Sequence, residues 1–109
     1  MYNAFANLGR FSEPALLILS SLAGGPKHGY AMMADIKEFS GTKLEPGTLY
    51  GALTRLEQRG WIESLPVEER RRPYRITAEG LQGLRAQIAQ MEQIVATSQH
   101  RIANVGRSI

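Results

Sequence analysis

Cysteine is absent from the 109-residue chain. Disulfide staples and thiolate chemistry are therefore excluded, which fits a reducing compartment. Long apolar runs are missing too. The longest, Ala15 to Leu19, falls far short of the ~20 residues a membrane-spanning helix needs. A secretory leader is not expected, because Glu13 stands where a basic segment belongs and the apolar stretch is short. The simplest expectation is a cytoplasmic protein. The only histidines, His28 and His100, lie far apart in the chain. With no H-E-x-x-H and no paired-carboxylate motif, neither a metal nor a cofactor is expected. Ser20, Ser21 and Ser64 have no base nearby in sequence, and Gly24-Gly25 lacks the spacing and the lysine of a phosphate loop. No enzymatic chemistry is indicated. Internal repeats and low-complexity tracts are missing as well.

What is present fits one small globular domain. Apolar residues make up 43% of the chain and charged residues 21%, a balance of folded rather than disordered sequences. The formal net charge is only +3, but it is unevenly spread. Arg70, Arg71, Arg72 and Arg75 are crowded together. A basic cluster on a nearly neutral chain suggests a polyanion met at a defined place, although a solvated loop would look the same.

Helical signals come first. Phe5, Leu8 and Phe11 recur at spacing three, so the N-terminal stretch is read as a helical arm. Ser12, Glu13 and Pro14 suit the start of a first helix that is apolar on nearly every face and ends at Gly24-Gly25-Pro26. A second helix is expected from His28 or Gly29 to Ser40-Gly41. It should turn Met32, Ile36 and Phe39 inward and Asp35, Lys37 and Glu38 outward, with His28 in a structural role at its start. After a turn from Lys43 to Gly47, Pro46 opens a third helix whose buried face is Leu49, Ala52, Leu53 and Leu56. Trp61 to Leu65 and Tyr74 to Thr77 read as strands, with Pro66 to Pro73 as a charged hairpin tip and Trp61 as a core residue. Thr77 caps a fourth helix.

This order predicts a mainly α winged helix-turn-helix: three helices plus a two-stranded wing, then a long C-terminal dimerisation helix. Residues 1–77 would form the DNA-binding domain with its arm, and 78–109 the dimerisation helix. The outer face of the third helix carries Gly47, Gly51, Thr54, Arg55 and Gln58, with Thr48 and Tyr50 on its flanks. Small and hydrogen-bonding side chains of this kind let a helix approach base edges, although any amphipathic helix has a polar outer face. Glycine costs a helix about 0.5–1 kcal/mol relative to alanine, so two on one exposed face suggest that something must come close to the backbone. Arg70, Arg71 and Arg72 at the hairpin tip could reach a phosphate backbone or a minor groove, with Glu68 and Glu69 cancelling part of their charge.

Several blocks taken together resemble the PadR-type transcriptional regulators. They are His28-Gly29-Tyr30, Pro46-Gly47-Thr48-Leu49-Tyr50, Ala52-Leu53, Arg55-Leu56-Glu57, Gly60-Trp61-Ile62-Glu63 and Arg72-Pro73-Tyr74-Arg75-Ile76-Thr77-Ala78-Glu79-Gly80. The resemblance covers Glu13 to Leu84. It implies a repressor of a two-fold symmetric operator, released by a small molecule or stress signal. It also implies DNA contacts by Thr48 and Tyr50, a phosphate anchor at Tyr30 and wing contacts by the arginines. The chain resembles the short subgroup, which dimerises through one helix. With Lys43 from the turn, the candidate DNA-binding residues are Tyr30, Lys43, Gly47, Thr48, Tyr50, Thr54, Arg55, Arg70, Arg71, Arg72 and Arg75. An effector pocket, if present, is expected at the dimer interface between the first and fourth helices.

The fourth helix supports dimerisation independently of any resemblance. Leu81, Leu84, Ile88, Met91, Val95, Ser98, Ile102 and Val105 alternate spacings of three and four, a heptad stripe with one polar interruption. A second copy of the chain is the simplest cover, against a helix folded back on its own domain. Gly106 and the residues after it are expected to fray. Two other functions fit parts of the pattern: a winged-helix module that docks a protein partner without binding DNA, and a small-molecule binder whose DNA contact is secondary.

Overall fold

The structure is a computed structural model that describes residues 14–108. The expected arm around Phe5, Leu8 and Phe11, and the Ser12 cap, lie outside the described residues. Helix α1 (Pro14–Ala23) is followed by strand β1 (Lys27–His28), helix α2 (Gly29–Ser40), helix α3 (Pro46–Gln58), strands β2 (Ile62–Ser64) and β3 (Pro73–Ile76), and helix α4 (Ala78–Ser108).

Helix α1 is the centre of the core because it is apolar around most of its circumference. Leu17, Ile18, Leu19 and Leu22 are buried, packed with Met32 and Ile36 of α2 and Leu49, Ala52, Leu53 and Leu56 of α3. Its C-terminal end is tied down by Lys27, whose Nζ donates to the carbonyls of Ser21 (2.5 Å) and Gly25 (3.3 Å). A cation there also suits the negative end of the helix dipole.

Two inward–outward expectations for α2 fail. Phe39 is 50% exposed, since the last turn of α2 runs past the body it packs on. Asp35 does not point away. Its carboxylate accepts a 2.7 Å bond from the buried Ser21 hydroxyl and lies 3.8 Å from the Lys27 ammonium. Burying Ser21 would otherwise leave an unsatisfied hydroxyl inside the core. Helix α2 ends at Gly41 in the left-handed conformation (φ 76°), with its N–H on the Lys37 carbonyl.

The sheet has three strands rather than two, in the order β1-β3-β2 and antiparallel throughout. The extra strand is the Lys27–His28 pair, which lies against Tyr74 and Pro73. Ile62 is the inward residue of β2, and Tyr74 and Ile76 of β3 share the core side. At the hairpin tip Glu68 and Arg71 exchange backbone hydrogen bonds of 2.7 and 2.8 Å. The two residues between them, Glu69 (φ 48°) and Arg70 (φ 68°), are both left-handed. This is the backbone pattern of a type I′ turn, whose twist matches that of the strands.

Helix α4 begins at Thr77, whose hydroxyl accepts from the Gly80 N–H (3.1 Å) and donates to the Gly60 carbonyl (2.6 Å). One side chain thereby joins the end of α3 to the start of α4. Gly80 and Gly83 let α4 lie directly on Trp61: a Cβ at Gly80 would overlap the Trp61 carbonyl, and one at Gly83 would sit 2.5 Å from its ring. Trp61 is half-buried against the core, and the Arg59 guanidinium covers its ring at 4.6 Å. Leu84, expected in the dimer seam, is 6% exposed and belongs to the chain's own core. Beyond it α4 leaves the body, and Ile88, Ile94, Val95, Ile102 and Val105 are exposed. The helix continues through Gly106 to Ser108. Its length gives the molecule a long axis of 60 Å.

Candidate nucleic-acid interface

The start of α2, the exposed side of α3 and the hairpin meet on one surface. His28, Gly29 and Tyr30 from the first, Tyr50 from the second, and Arg70, Arg71, Arg72 and Tyr74 from the third line a shallow concavity of about 180 Å³. Gly29 makes the junction possible, because a Cβ there would overlap the Tyr50 hydroxyl. Tyr30 is 66% exposed, and the Arg71 guanidinium lies 5.7 Å from its ring centroid.

On α3, Thr48, Tyr50, Thr54, Arg55 and Gln58 are exposed, while Leu49, Ala52, Leu53 and Leu56 fill the core as the spacing predicts. The Thr54 hydroxyl donates to the Tyr50 carbonyl (3.0 Å), which leaves its oxygen lone pairs directed outward as acceptors. Nothing in the fold itself asks for glycine at two positions of this face. A Cβ at Gly47 would meet nothing within 4 Å, and one at Gly51 would meet only the flexible Arg55 Nη1 at 3.6 Å.

The four arginines of the cluster fall into different environments. Arg75 is not brought to the concavity: both its Nε (2.8 Å) and its Nη2 donate to Glu63 Oε1 across the β2–β3 ladder. Arg72 reaches over the hairpin to the Leu65 carbonyl (3.1 Å). Arg70 and Arg71 form no ion pair: among the described residues the pairs are Lys27–Asp35 and Arg75–Glu63. Glu68 and Glu69, expected to offset part of the charge of Arg70, Arg71 and Arg72, form no ion pair with them but border a groove together with His28 and Arg71, while Glu63 takes Arg75. Lys43 stands exposed between α2 and α3 and does not line the concavity.

His28 and Tyr74 also line the concavity, although neither is a candidate from sequence. His28 does fill the structural role expected of it, as N-cap of α2: its Nδ1 accepts from the Ala31 N–H at 3.3 Å. Only its position immediately before Gly29-Tyr30 hinted at more. Burial raises the Tyr74 phenol pKa above its ordinary value, with Glu57 and Tyr50 adding to the effect and Arg72 opposing it. The phenol is therefore a neutral donor on this surface. Among the described residues no three or more histidines or carboxylates are grouped to hold a metal ion, and no helix is long and apolar enough to cross a membrane.

Comparison with known proteins places this geometry. The model of the transcriptional regulator PadR-like family matches residues 18–86. A solved transcriptional regulator from Clostridium thermocellum is 33% identical, with 76% of this chain and 86% of that one covered and a TM-score of 0.69. A PadR family transcription regulator from Clostridium difficile is 28% identical, with 82% and 97% covered and a TM-score of 0.73. An uncharacterised 37.1 kDa protein in transposon TN4556 of Streptomyces fradiae is 40% identical over 85 residues. The match covers 78% of this chain but only 25% of that curated relative.

Proposed function

The chain belongs to the PadR-like family of transcriptional regulators, whose members are regulators rather than enzymes, and from that premise we propose that it binds operator DNA as a homodimer. The observation that carries this is the concavity itself, where Tyr30, Tyr50 and the unpaired Arg70 and Arg71 meet beside the exposed face of α3. Helix α3 enters the major groove. Thr48, Thr54 and Arg55 address base edges, and Gly47 and Gly51 allow close approach. The wing arginines and Tyr30 hold the phosphate backbone and fix the register. Lys43 adds a backbone contact beyond the concavity. Arg75 is engaged by Glu63 and is left out of this surface.

The dimer forms through the free part of α4. Its apolar stripe from Ile88 through Met91, Val95 and Ile102 to Val105 spans roughly 26 Å at 1.5 Å per residue. A monomer rarely exposes a contiguous apolar patch of that extent. A second copy covers it with the same stripe, in a two-fold interface. Leu81 flanks the seam at the body end, whereas Leu84 stays in its own core. Residues up to 77 thus address DNA, and the rest of α4 pairs the two copies. A two-fold dimer reads an inverted repeat with half-sites about one helical turn apart. Repression, release by a small molecule at the seam of α1 and α4, and a cytoplasmic location complete the reading.

Fluorescence anisotropy with the duplex flanking the protein's own gene, and with a random duplex, tests it. Expected is tight, salt-sensitive binding to an inverted repeat and weaker binding to the random sequence. A protein-docking module would bind neither, and that result would reject the DNA reading.

A further inference from the structure

We propose that His28 and Arg71 form a clamp for a single oxyanion, which in the reading above is a phosphate of the DNA backbone. The identity of the anion rests on that reading. The site itself rests on counting donors and acceptors.

The Ala31 N–H belongs to the first turn of α2 and has no carbonyl partner within the helix. It points at His28 Nδ1, 3.3 Å away. The other ring nitrogen, Nε2, lies 3.3 Å from Arg71 Nη1. An amide N–H and a guanidinium N–H can only donate, and a neutral imidazole between them offers one lone pair and one N–H. The arrangement is therefore one acceptor short. If Nδ1 accepts the cap, Nε2–H and the guanidinium face each other, both as donors. If Nε2 accepts from Arg71, the surplus donor sits inside the first turn of α2. The capped form moves the shortage outward, where an external acceptor can meet it.

The surroundings favour the capped form and an anionic acceptor. Arg71 has no carboxylate within ion-pair distance, although Glu68 and Glu69 are its neighbours in the hairpin. The Tyr30 ring supports the guanidinium from one side. Pairing of β1 with β3 sets His28 opposite Pro73, which brings its backbone close to the wing. Both side chains line the concavity of about 180 Å³, which also presents Arg70, Arg72 and Tyr50. A phosphodiester offers two unesterified oxygens, one for Nε2–H and one for the guanidinium, and such charge-assisted bonds are the strong ones. His28 would thus lock the start of α2 and the wing onto the same phosphate.

The variant His28→Asn separates the two roles. Asparagine is a good N-cap and satisfies Ala31 through its Oδ1, but its shorter amide carries no donor at the position of Nε2 beside Arg71. We expect about ten-fold weaker binding on specific and random duplexes alike, with an unchanged salt slope because a neutral donor displaces no counterion. Arg71→Ala should instead reduce the slope by about one unit. The double variant should lose less than the product of the two single losses. Binding by His28→Asn within two-fold of the unsubstituted protein would overturn the clamp. A second measurement needs no DNA. Nitrogen-15 NMR of the His28 ring should show the Nε2–H tautomer, with an Nε2 shift on adding inorganic phosphate that disappears in Arg71→Ala. An Nδ1–H tautomer, or no response to phosphate, would overturn the clamp even if DNA binds. If the protein bound no duplex, the DNA reading alone would fall, and the phosphate titration would still decide the clamp.

Discussion

Gly51→Ala should make the protein more stable and a worse DNA binder. Gly51 lies in the interior of α3, where glycine costs about 0.5–1 kcal/mol relative to alanine. The structure offers no offsetting strain. The nearest atom to an added Cβ is Arg55 Nη1 at 3.6 Å, an ordinary contact with the movable end of a side chain. The full propensity gain should therefore appear, raising Tm by roughly 2–8 °C for a domain of this size. On the proposed reading the same methyl group stands on the face that meets the groove. Holding the helix off by its thickness should cost at least one base contact, about 1–3 kcal/mol, or roughly 5- to 150-fold in affinity. Thermal unfolding by circular dichroism and anisotropy with the operator duplex measure the two effects. Protein concentration must be matched, because the Tm of the proposed dimer would depend on it. A higher Tm with unchanged affinity would refute the close-approach reasoning. A lower Tm would refute the open space around Gly51.

Four further outcomes are expected. Gly83→Ala drives a methyl into the Trp61 ring and should destabilise by about 1–3 kcal/mol in urea unfolding, the opposite sign to Gly51→Ala. Ile88→Glu combined with Met91→Glu should give a folded monomer by sedimentation, since neither side chain belongs to the chain's own core; an unchanged mass would reject the α4 seam. Arg75→Ala should leave the salt slope of DNA binding within a few tenths of its original value, because Glu63 already neutralises that charge. Tyr74 titrates above its ordinary pKa of 10.0 because burial disfavours the phenolate. A raised folded-state value means that its contribution to stability is intact below pH 10 and lost as pH rises through the folded value. Tyr74→Phe should flatten the alkaline fall in stability measured by urea unfolding.

The buried face of α3 was legible because periodicity reports orientation, and Leu49, Ala52, Leu53 and Leu56 are all buried. Periodicity does not report how far the neighbouring body extends. Phe39 continues the α2 stripe one turn beyond it and is exposed, while Leu84 belongs to the α4 stripe but still lies over the body and is buried. Strand β1 was invisible for a related reason. Two residues carry no alternation, and they are extended because β3 supplies a partner. Asp35 looked like a solvent-facing charge until the fold set Ser21 and Lys27 beside it.

Charge was the least transferable signal, because a count along the chain treats neighbours as equivalent. Arg70, Arg71, Arg72 and Arg75 form one cluster in sequence. In the hairpin strand geometry sends them to different surroundings. Alternation along β3 turns Arg75 away from Tyr74 and onto Glu63, its cross-strand neighbour in the ladder. Arg72 crosses the hairpin to the Leu65 carbonyl, keeping its charge but losing reach. The left-handed turn at Glu69 and Arg70 presents Arg70 at the tip and brings Arg71 back toward α2. Of the four only Arg75 is ion-paired, and Arg70 and Arg71 lack the carbonyl anchor that holds Arg72. Each phosphate neutralised on duplex DNA contributes about 0.9 to the salt slope. On the proposed reading the wing should therefore contribute at most three contacts rather than four, and that of Arg71 is shared with a helix cap. The same side chain, His28, satisfies a local rule and a long-range one, and local pattern reveals only the first.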